Sequence, residues 1–567
     1  MKYSECDLAM NKGIERHTAA GPVLYALLRV GAFLYRVLRW IGRGLENLQR
    51  ALGWNPGATR PARYWQNAIG NQFTTAHELL RPTSLDELVA IVSRAAQEGR
   101  RVRAVGAGHS FSDVAITDDY VVDMHGMHAE LPVDPAVLRP GVDATTLYRV
   151  ESGIRIRQLN RKLAEKELAL QNMGGYDVQT ISGAVSTATH GSGHALGPLC
   201  DAVESLVLVH GAGRVTLLEP SDGITDPAAY QSRPADGIEL VQDDDLFYSA
   251  VVAMGSMGIV ASYTLRVRKA FLLKECRTLK SWTDVRQDLL SGAPERVAHY
   301  ELYVNPYPVR GDHHCLVTTR EEVTDGARND GERERSPVAT MLTRFRFIDA
   351  ILRWLFSHLR FFTPYFIHAA LSSLVDDEYI DHSYKVFNLG DANLVPAFSA
   401  ELAFDAGPMP GGVPAHVAGI DKILQLAAEQ AAAGHWHSSP FGVRFVRSSR
   451  HHLAPQYGRN TCMVELPFLQ GTLGAWDLLR YYERRFLADG ARPHWGQATF
   501  ALSYETTWSA YERFPAFLAA FAHFNPRGTF DNTFTQRLSL RAATRGWERK
   551  QRRELRNLGS TESLQSQ

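Results

Sequence analysis

Cysteine is scarce in this chain. There are five in 567 residues (Cys6, Cys200, Cys276, Cys315 and Cys462), and no two are spaced as C-x-x-C. That excludes a disulfide framework and a zinc ribbon, and it fits a reducing compartment. Net charge is lacking as well, because 61 Lys and Arg balance 61 Asp and Glu. A broad basic face for nucleic acid is therefore not expected. Near the start, no apolar run is both long and free of charge. The most apolar early stretch, Pro22 to Ile41, is broken by Arg29, Arg36 and Arg39. A spanning helix needs about 20 largely uncharged residues, and each central Arg costs roughly 2.5–3.5 kcal/mol. The opening residues, MKYSECDLAMNKGIERHTAA, are polar and mixed in charge, unlike a secretory signal. There is no internal repeat. What remains is globular: 45% hydrophobic and 22% charged residues, in a length too great for one ordinary core.

Two segments carry an unusual pattern. Arg29, Arg36 and Arg43 recur every seventh residue, which places them on one stripe of a helix. Leu27, Leu28, Phe33, Leu34, Val37, Leu38 and Ile41 cover the rest. Arg346, Arg353 and Arg360 repeat the spacing amid Phe345, Phe347, Ile348, Trp354, Phe356 and Phe361, and Pro364 is expected to kink or end that helix. Such helices suit a bilayer interface, cationic face outward. They equally suit docking on the protein's own body or on a partner subunit, with snorkelling arginines. The first reading places the protein on the cytoplasmic side, peripheral to a membrane.

Between these segments the chain alternates. Residues 44–70 form a Pro/Gly-rich joint. Ser84 stands three residues before Glu87, a capping-box spacing, and Leu85, Leu88, Val89, Val92 and Ala96 supply a helical apolar face. Strands are expected at Val102–Val105, Tyr120–Met124, Leu138–Pro140, Ala202–His210 and Ile259–Arg266, with a helix at Arg157–Lys166. Further strands are expected at Ala298–Val304 and His314–Thr319, and a mobile loop at Glu321–Ser336. The division drawn is an N-terminal amphipathic extension (1–55), an α+β domain (56–270), a second α+β domain (271–544) with a basic apolar insertion near 341–375, and a polar tail (545–567).

Three glycine-rich segments carry the chemistry. Gly106-Ala107-Gly108-His109-Ser110 follows a short strand, where glycines let a backbone approach a phosphate and leave N–H groups pointing inward. No helix with a further G-x-x-G follows, so this is not a nicotinamide fingerprint. Gly174 to Gly193 packs glycines and hydroxyls around Val178, Ile181 and Val185. His190 and His194 suggest a metal pair, but no third ligand stands nearby in sequence, and no metal is expected. Gly255-Ser256-Met257-Gly258 enters the third segment's strand.

In order and spacing, GAGHSFSDVAITDDYVVDM, ISGAVSTATHGSG and GSMGIV resemble the FAD-binding domain of the vanillyl-alcohol-oxidase superfamily. More narrowly they resemble its sugar-lactone and alditol oxidases. The likeness resumes in Arg492-Pro493-His494-Trp495-Gly496 and in Asn525–Phe530. It implies an α+β fold in which a two-subdomain FAD-binding domain is joined to an α+β cap domain. It implies FAD joined covalently to His109, with Gly106, Ala107, Gly108 and Ser110 around the diphosphate. Ser182, Gly183, Ser186, Thr187, Thr189, His190 and Gly191 match the second FAD-contacting loop, and Ile259 meets the cofactor through its backbone.

The catalytic half departs from that pattern. Where the family's sugar oxidases often carry Glu-x-Arg, this chain has Gly442-Val443-Arg444. Where they often end His-Trp-x-Lys, it has His494-Trp495-Gly496-Gln497. Glu465 offers another carboxylate. The resulting expectation is oxidation of a CH–OH group in a sugar lactone, alditol or related polyol, with hydride passing to flavin and then to oxygen or another acceptor. Arg444 would stabilise the alkoxide and Glu465 or His494 would act as base. Two rivals remain at this point: a membrane-associated flavin dehydrogenase or reductase of a lipid-linked or amphipathic substrate such as a lipid-linked sugar, and a non-catalytic flavin-fold binding protein.

Overall fold

The computed structural model describes residues 63–232, 237–324, 360–390, 396–409 and 412–544. The N-terminal extension, Arg346 and Arg353 of the basic insertion, most of the 321–336 loop and the polar tail lie outside the described residues. Among the described residues no helix is long and apolar enough to cross a membrane.

Ser84 caps the first long helix, Leu85–Glu98, accepting the Glu87 N–H at 3.3 Å. Only half of the expected box forms, because the Glu87 carboxylate accepts from the Thr83 N–H (2.7 Å). Gly99, at φ +67°, ends the helix in the left-handed conformation that a Cβ resists. The helix buries Leu88, Val92 and Ala95 against a parallel three-stranded sheet. Its strands are β1 (Glu78–Leu80), β2 (Val102–Val105) and β3 (Tyr120–Asp123), in the order β1-β3-β2.

A six-stranded sheet follows: β4 (Glu130–Leu131), β5 (Leu147–Glu151), β6 (Val203–His210), β7 (Arg214–Glu219), β8 (Glu239–Gln242) and β9 (Ile259–Arg266). Its order is β8-β7-β6-β9-β5-β4, antiparallel except between β7 and β8. The expected strand at Leu138–Pro140 is only an isolated bridge from Leu138 to Thr225, since Pro140 has no N–H to extend a ladder. The expected helix runs Ile156–Ala164.

The second half is built on an eight-stranded antiparallel sheet: β10 (Leu272–Ser281), β11 (His299–Val304), β12 (His314–Val323), β13 (Asp376–His382), β14 (Ala397–Asp405), β15 (Phe441–Val446), β16 (Thr461–Leu469) and β17 (Arg492–Pro493). Its order is β13-β10-β12-β11-β15-β16-β14-β17. The β12 strand continues to Val323, into the stretch expected to be loop. Alternation splits the sheet into two unlike faces. Leu302, Val317, Leu402, Val443 and Val464 point to one side and form a core with the helices Trp282–Leu290, Ala415–Ala432 and Ala475–Leu487. The intervening residues are largely charged or polar. Pro364 sits in the first turn of the helix Thr363–Ser372, where its missing N–H is not needed, and the segment expected to be helical before residue 360 lies outside the described residues.

The last described helices return to the first half. Phe514, Phe517, Phe521 and Phe524 share a core with Val150, Leu206, Phe247 and Tyr263. Val102 N–H bonds to Thr529 O at 2.7 Å, and Asn532 Nδ2 donates to the carbonyls of Asp113, Val114 and Ile116. The stretch from Tyr504 onward, grouped with the second domain on sequence, thus packs with the six-stranded sheet.

Candidate active site

Three loops meet around one cleft that is open to solvent on one side. Gly106 to Ser110 leaves the end of β2 and forms one wall. The N–H groups of Ala107, Gly108, His109 and Ser110 make no hydrogen bond within the described residues, so four donors stand unpaired beside the cleft. That arrangement suits a diphosphate. Gly106 is required by close approach: a Cβ there would lie 2.1 Å from Thr180 Oγ1. Thr180 in turn caps the short helix Ile181–Ser186, accepting from the Gly183 N–H at 3.4 Å. Ser182, Gly183, Ser186, Thr187 and Thr189 line the cleft from this side, and Ile259 lines it at the start of β9.

His190 and Gly191 do not line this cleft. Gly191 lies under Asn172 and Met173, where a Cβ would meet Asn172 Oδ1 at 2.3 Å. His190 is buried and its Nε2 lies 3.1 Å from Glu401 Oε1, while His494 comes from the loop after β17. His190, Glu401 and His494 therefore form one buried cluster, with ligand-competent atoms within 4.8 Å of each other. His194 is elsewhere, 3.8 Å from Glu295. Of the catalytic candidates, His494 and Gln497 line the cofactor cleft itself.

Arg444 and Glu465 lie on the polar face of the eight-stranded sheet. Arg444 Nε donates to Glu301 Oε1 (2.9 Å), Nη1 to Glu465 Oε2 (3.4 Å) and Nη2 to the Tyr303 hydroxyl (3.4 Å). Ser399 Oγ lies 2.8 Å from Glu465 Oε1 and 2.7 Å from Gln497 Oε1. Gln497 thus joins the two parts of the site, because it lines the cofactor cleft and its Nε2 reaches Glu465 at 3.4 Å. On the far side the His109 ring lies 5.7 Å from that of Tyr176.

Gly442 faces Glu465 across the β15–β16 ladder. A Cβ at 442 would be 3.9 Å from the Glu465 carboxylate. A carboxylate thus stands beside Arg444 from the neighbouring strand.

Burial and charge set the protonation states. Burial raises Glu465; Arg444 pulls it down and Glu401 pushes it up, and the result stays above the ordinary carboxylate value. Burial would also raise Glu301, but Arg444 and Arg320 overcome it and hold this carboxyl at about 2. Burial lowers Arg444, yet Glu301, Tyr303 and Glu465 carry it well above its ordinary value. Burial lowers His494 to about 4, and burial and then Arg155 lower His109.

Sequence reasoning missed Glu301, Tyr303, Ser399 and Glu401. A signal was present, since polar residues alternate with apolar ones along both strands, HYELYV and AFSAELAFD, with Glu301 and Glu401 near their centres. In such strands an isolated charge marks the face that meets a site.

Fold and cleft together define a two-domain flavoprotein, with residues 76–219 matching the family described as FAD binding domain. Residues 263–538 match the family described as D-arabinono-1,4-lactone oxidase. Over these two stretches the chain is similar to FAD-dependent sugar-lactone oxidases and dehydrogenases. The L-gulono-1,4-lactone dehydrogenase of Mycobacterium tuberculosis is 28% identical over 483 residues, 84% of this chain and 98% of the relative. The D-arabinono-1,4-lactone oxidase of Kluyveromyces lactis is 31% identical over 194 residues, 34% of this chain and 32% of the relative. Among solved structures, cholesterol oxidase from B. sterolicum has a TM-score of 0.63 at 12% identity, covering 85% of this chain and 98% of that one, a likeness of fold alone.

Proposed function

We propose that the protein is an FAD-dependent oxidoreductase that oxidises a CH–OH group of a sugar lactone. The observation that carries this reading is Gln497, which lines the cofactor cleft while hydrogen-bonding to the Ser399–Glu465–Arg444 group. FAD, when bound, supplies the hydride acceptor. Gly106 to Ser110 would hold its diphosphate and His109 would carry the covalent link to the ring. Arg444 orients the reacting hydroxyl and stabilises the alkoxide as it forms, and Glu465 takes the hydroxyl proton. His494 lies on the cofactor wall with Nδ1 accepting the Gly496 N–H (3.1 Å), which leaves the base role to Glu465.

Anaerobic addition of L-gulono- or D-arabinono-1,4-lactone should bleach the flavin absorbance. No bleaching with any aldonolactone would refute the reading. Acid-precipitated protein should remain yellow, and complete release of flavin would refute the His109 link.

A membrane-facing position is favoured by one surface. Phe361, Phe362 and Tyr365, in the later part of the basic apolar insertion, are 60%, 50% and 59% exposed. Arg360 beside them donates to the Gly434 carbonyl. We propose that this patch rests on an anionic leaflet.

A further inference from the structure

The polar face of the eight-stranded sheet carries a continuous row of buried charge that ends at Arg444 and Glu465. It starts on β10, where Arg277 Nε lies 3.1 Å from Glu275 Oε1. Arg320 on β12 donates from Nε to Glu275 (2.7 Å) and from Nη1 to Glu301 Oε2 (2.9 Å). Glu301 on β11 uses its other oxygen for Arg444 on β15, at 2.9 Å, and Arg444 reaches Glu465 on β16. These strands are neighbours in the order β10-β12-β11-β15-β16, so the row crosses five strands without a gap. Glu275, Arg277, Arg320 and Glu301 are all buried.

Among the described residues the row contains three guanidinium groups, Arg277, Arg320 and Arg444, and three carboxylates, Glu275, Glu301 and Glu465, when Glu465 is ionised. Glu401, a fourth carboxylate, faces Glu465 across the β14–β16 ladder and is paired with His190. The Arg444 guanidinium at the pocket is thus already neutralised, and the groups bonded to Glu465 from the cleft side, Ser399 and Gln497, are uncharged. A neutral ligand can use the polarised N–H groups of Arg444. An anion entering the same place would bring an uncompensated charge out of water, which is costly.

We propose that Glu301 is a specificity-determining and positioning residue: by neutralising Arg444 from within the sheet, it makes the pocket accept an uncharged polyhydroxy ring and turn away the aldonate. This rests on the lactone reading above. Its chemical sense is that every lactone hydrolyses in water to its hydroxy acid. A pocket with a bare arginine would be held by that acid. Glu301 also fixes the guanidinium through Nε, so its loss should lower turnover as well as shift selectivity.

The test uses the flavin-loaded enzyme and reads ligand binding from perturbation of the visible flavin spectrum, alongside steady-state kinetics. The probes are L-gulono-1,4-lactone, L-gulonate, and the sorbitol and gluconate pair. Wild type should bind L-gulonate at least ~30-fold more weakly than the lactone. Glu301→Gln removes one negative charge at constant shape. It should strengthen L-gulonate binding ~10-fold or more, with a smaller change in lactone KM and a fall in kcat. Glu301→Gln with Arg320→Gln restores the charge balance and should restore rejection of the acid, which a merely structural role for Glu301 would not do. L-gulonate binding unchanged in Glu301→Gln, or not weakened again in the double variant, overturns the proposal. If neither variant retains flavin, the wild-type ratio decides, and equal affinity for acid and lactone overturns it. If no lactone is oxidised, the functional reading fails, and the sorbitol and gluconate pair still tests the charge selection.

Discussion

Arg444 is held by three partners and approached by a third carboxylate, Glu401, so its position is over-determined. Arg444→Ala should lower kcat/KM by ~10²–10³, in keeping with the loss of one charge-stabilising donor, while flavin content stays native. Full turnover in that variant would remove Arg444 from the chemistry. Glu465 makes a different prediction. Its raised carboxyl must be ionised to take a proton, so kcat/KM should fall as pH drops through a value above 4.5, the ordinary carboxyl value. In Glu465→Gln that acidic limb should vanish from a much slower reaction. An unchanged limb would assign the titration to another group.

At the scale of elements, glycine distinguishes two kinds of position. Gly106 cannot take a Cβ without moving Thr180, the cap of the next helix, so Gly106→Ala should cost about 1–3 kcal/mol and loosen FAD. Gly442 has only ordinary contacts at 3.6 Å and beyond, so Gly442→Ala should fold and bind FAD normally. Flavin content and thermal midpoint of the two variants, measured together, check both expectations. The same contrast explains what was legible in the sequence. The loop at 106–110 could be read because its glycines record a local backbone demand. The helix at 85–98 could be read because a cap and an apolar period are local as well. Glu301 and Glu401 could not be placed, because their partners Arg444 and His190 lie far along the chain and meet only through strand order. His190 was assigned to the cofactor wall from its loop alone, and only the sheet shows that it turns away towards Glu401.

For the whole molecule, acid should be the weak side. Glu301 and Glu401 are each held at about 2, below the ordinary 4.5. Carboxyls lowered on folding add stability that is complete above their unfolded value and lost as pH falls through the folded one. Glu465, raised on folding, acts in the opposite sense and only partly offsets them. Burial also lowers His210, His299, His452 and His494 to about 4, and the unfolded chain protonates them first, so the thermal midpoint should begin to fall below about pH 6.5, the ordinary histidine value, and fall more steeply below pH 4.5. A midpoint constant to pH 3 would show that the buried row contributes little. At the surface, Phe361→Ser with Tyr365→Ser should weaken flotation with anionic liposomes, more visibly at high salt where apolar insertion carries the binding. If wild type does not float even at low salt, the patch meets protein.

The return of the last helices to the six-stranded sheet has a consequence for how the chain is made. As the protein leaves the ribosome, β1 to β9 emerge first, but Phe517, Phe521 and Phe524 of their core and the Thr529 carbonyl that receives Val102 come almost at the end. The helix-backed sheet between them has its core complete by Ala498 and can close while the cofactor half still waits. Flavin capture is thus tied to the end of synthesis, and a chain cut short before Phe514 would present a finished cap beside an open, apolar surface that quality control can recognise.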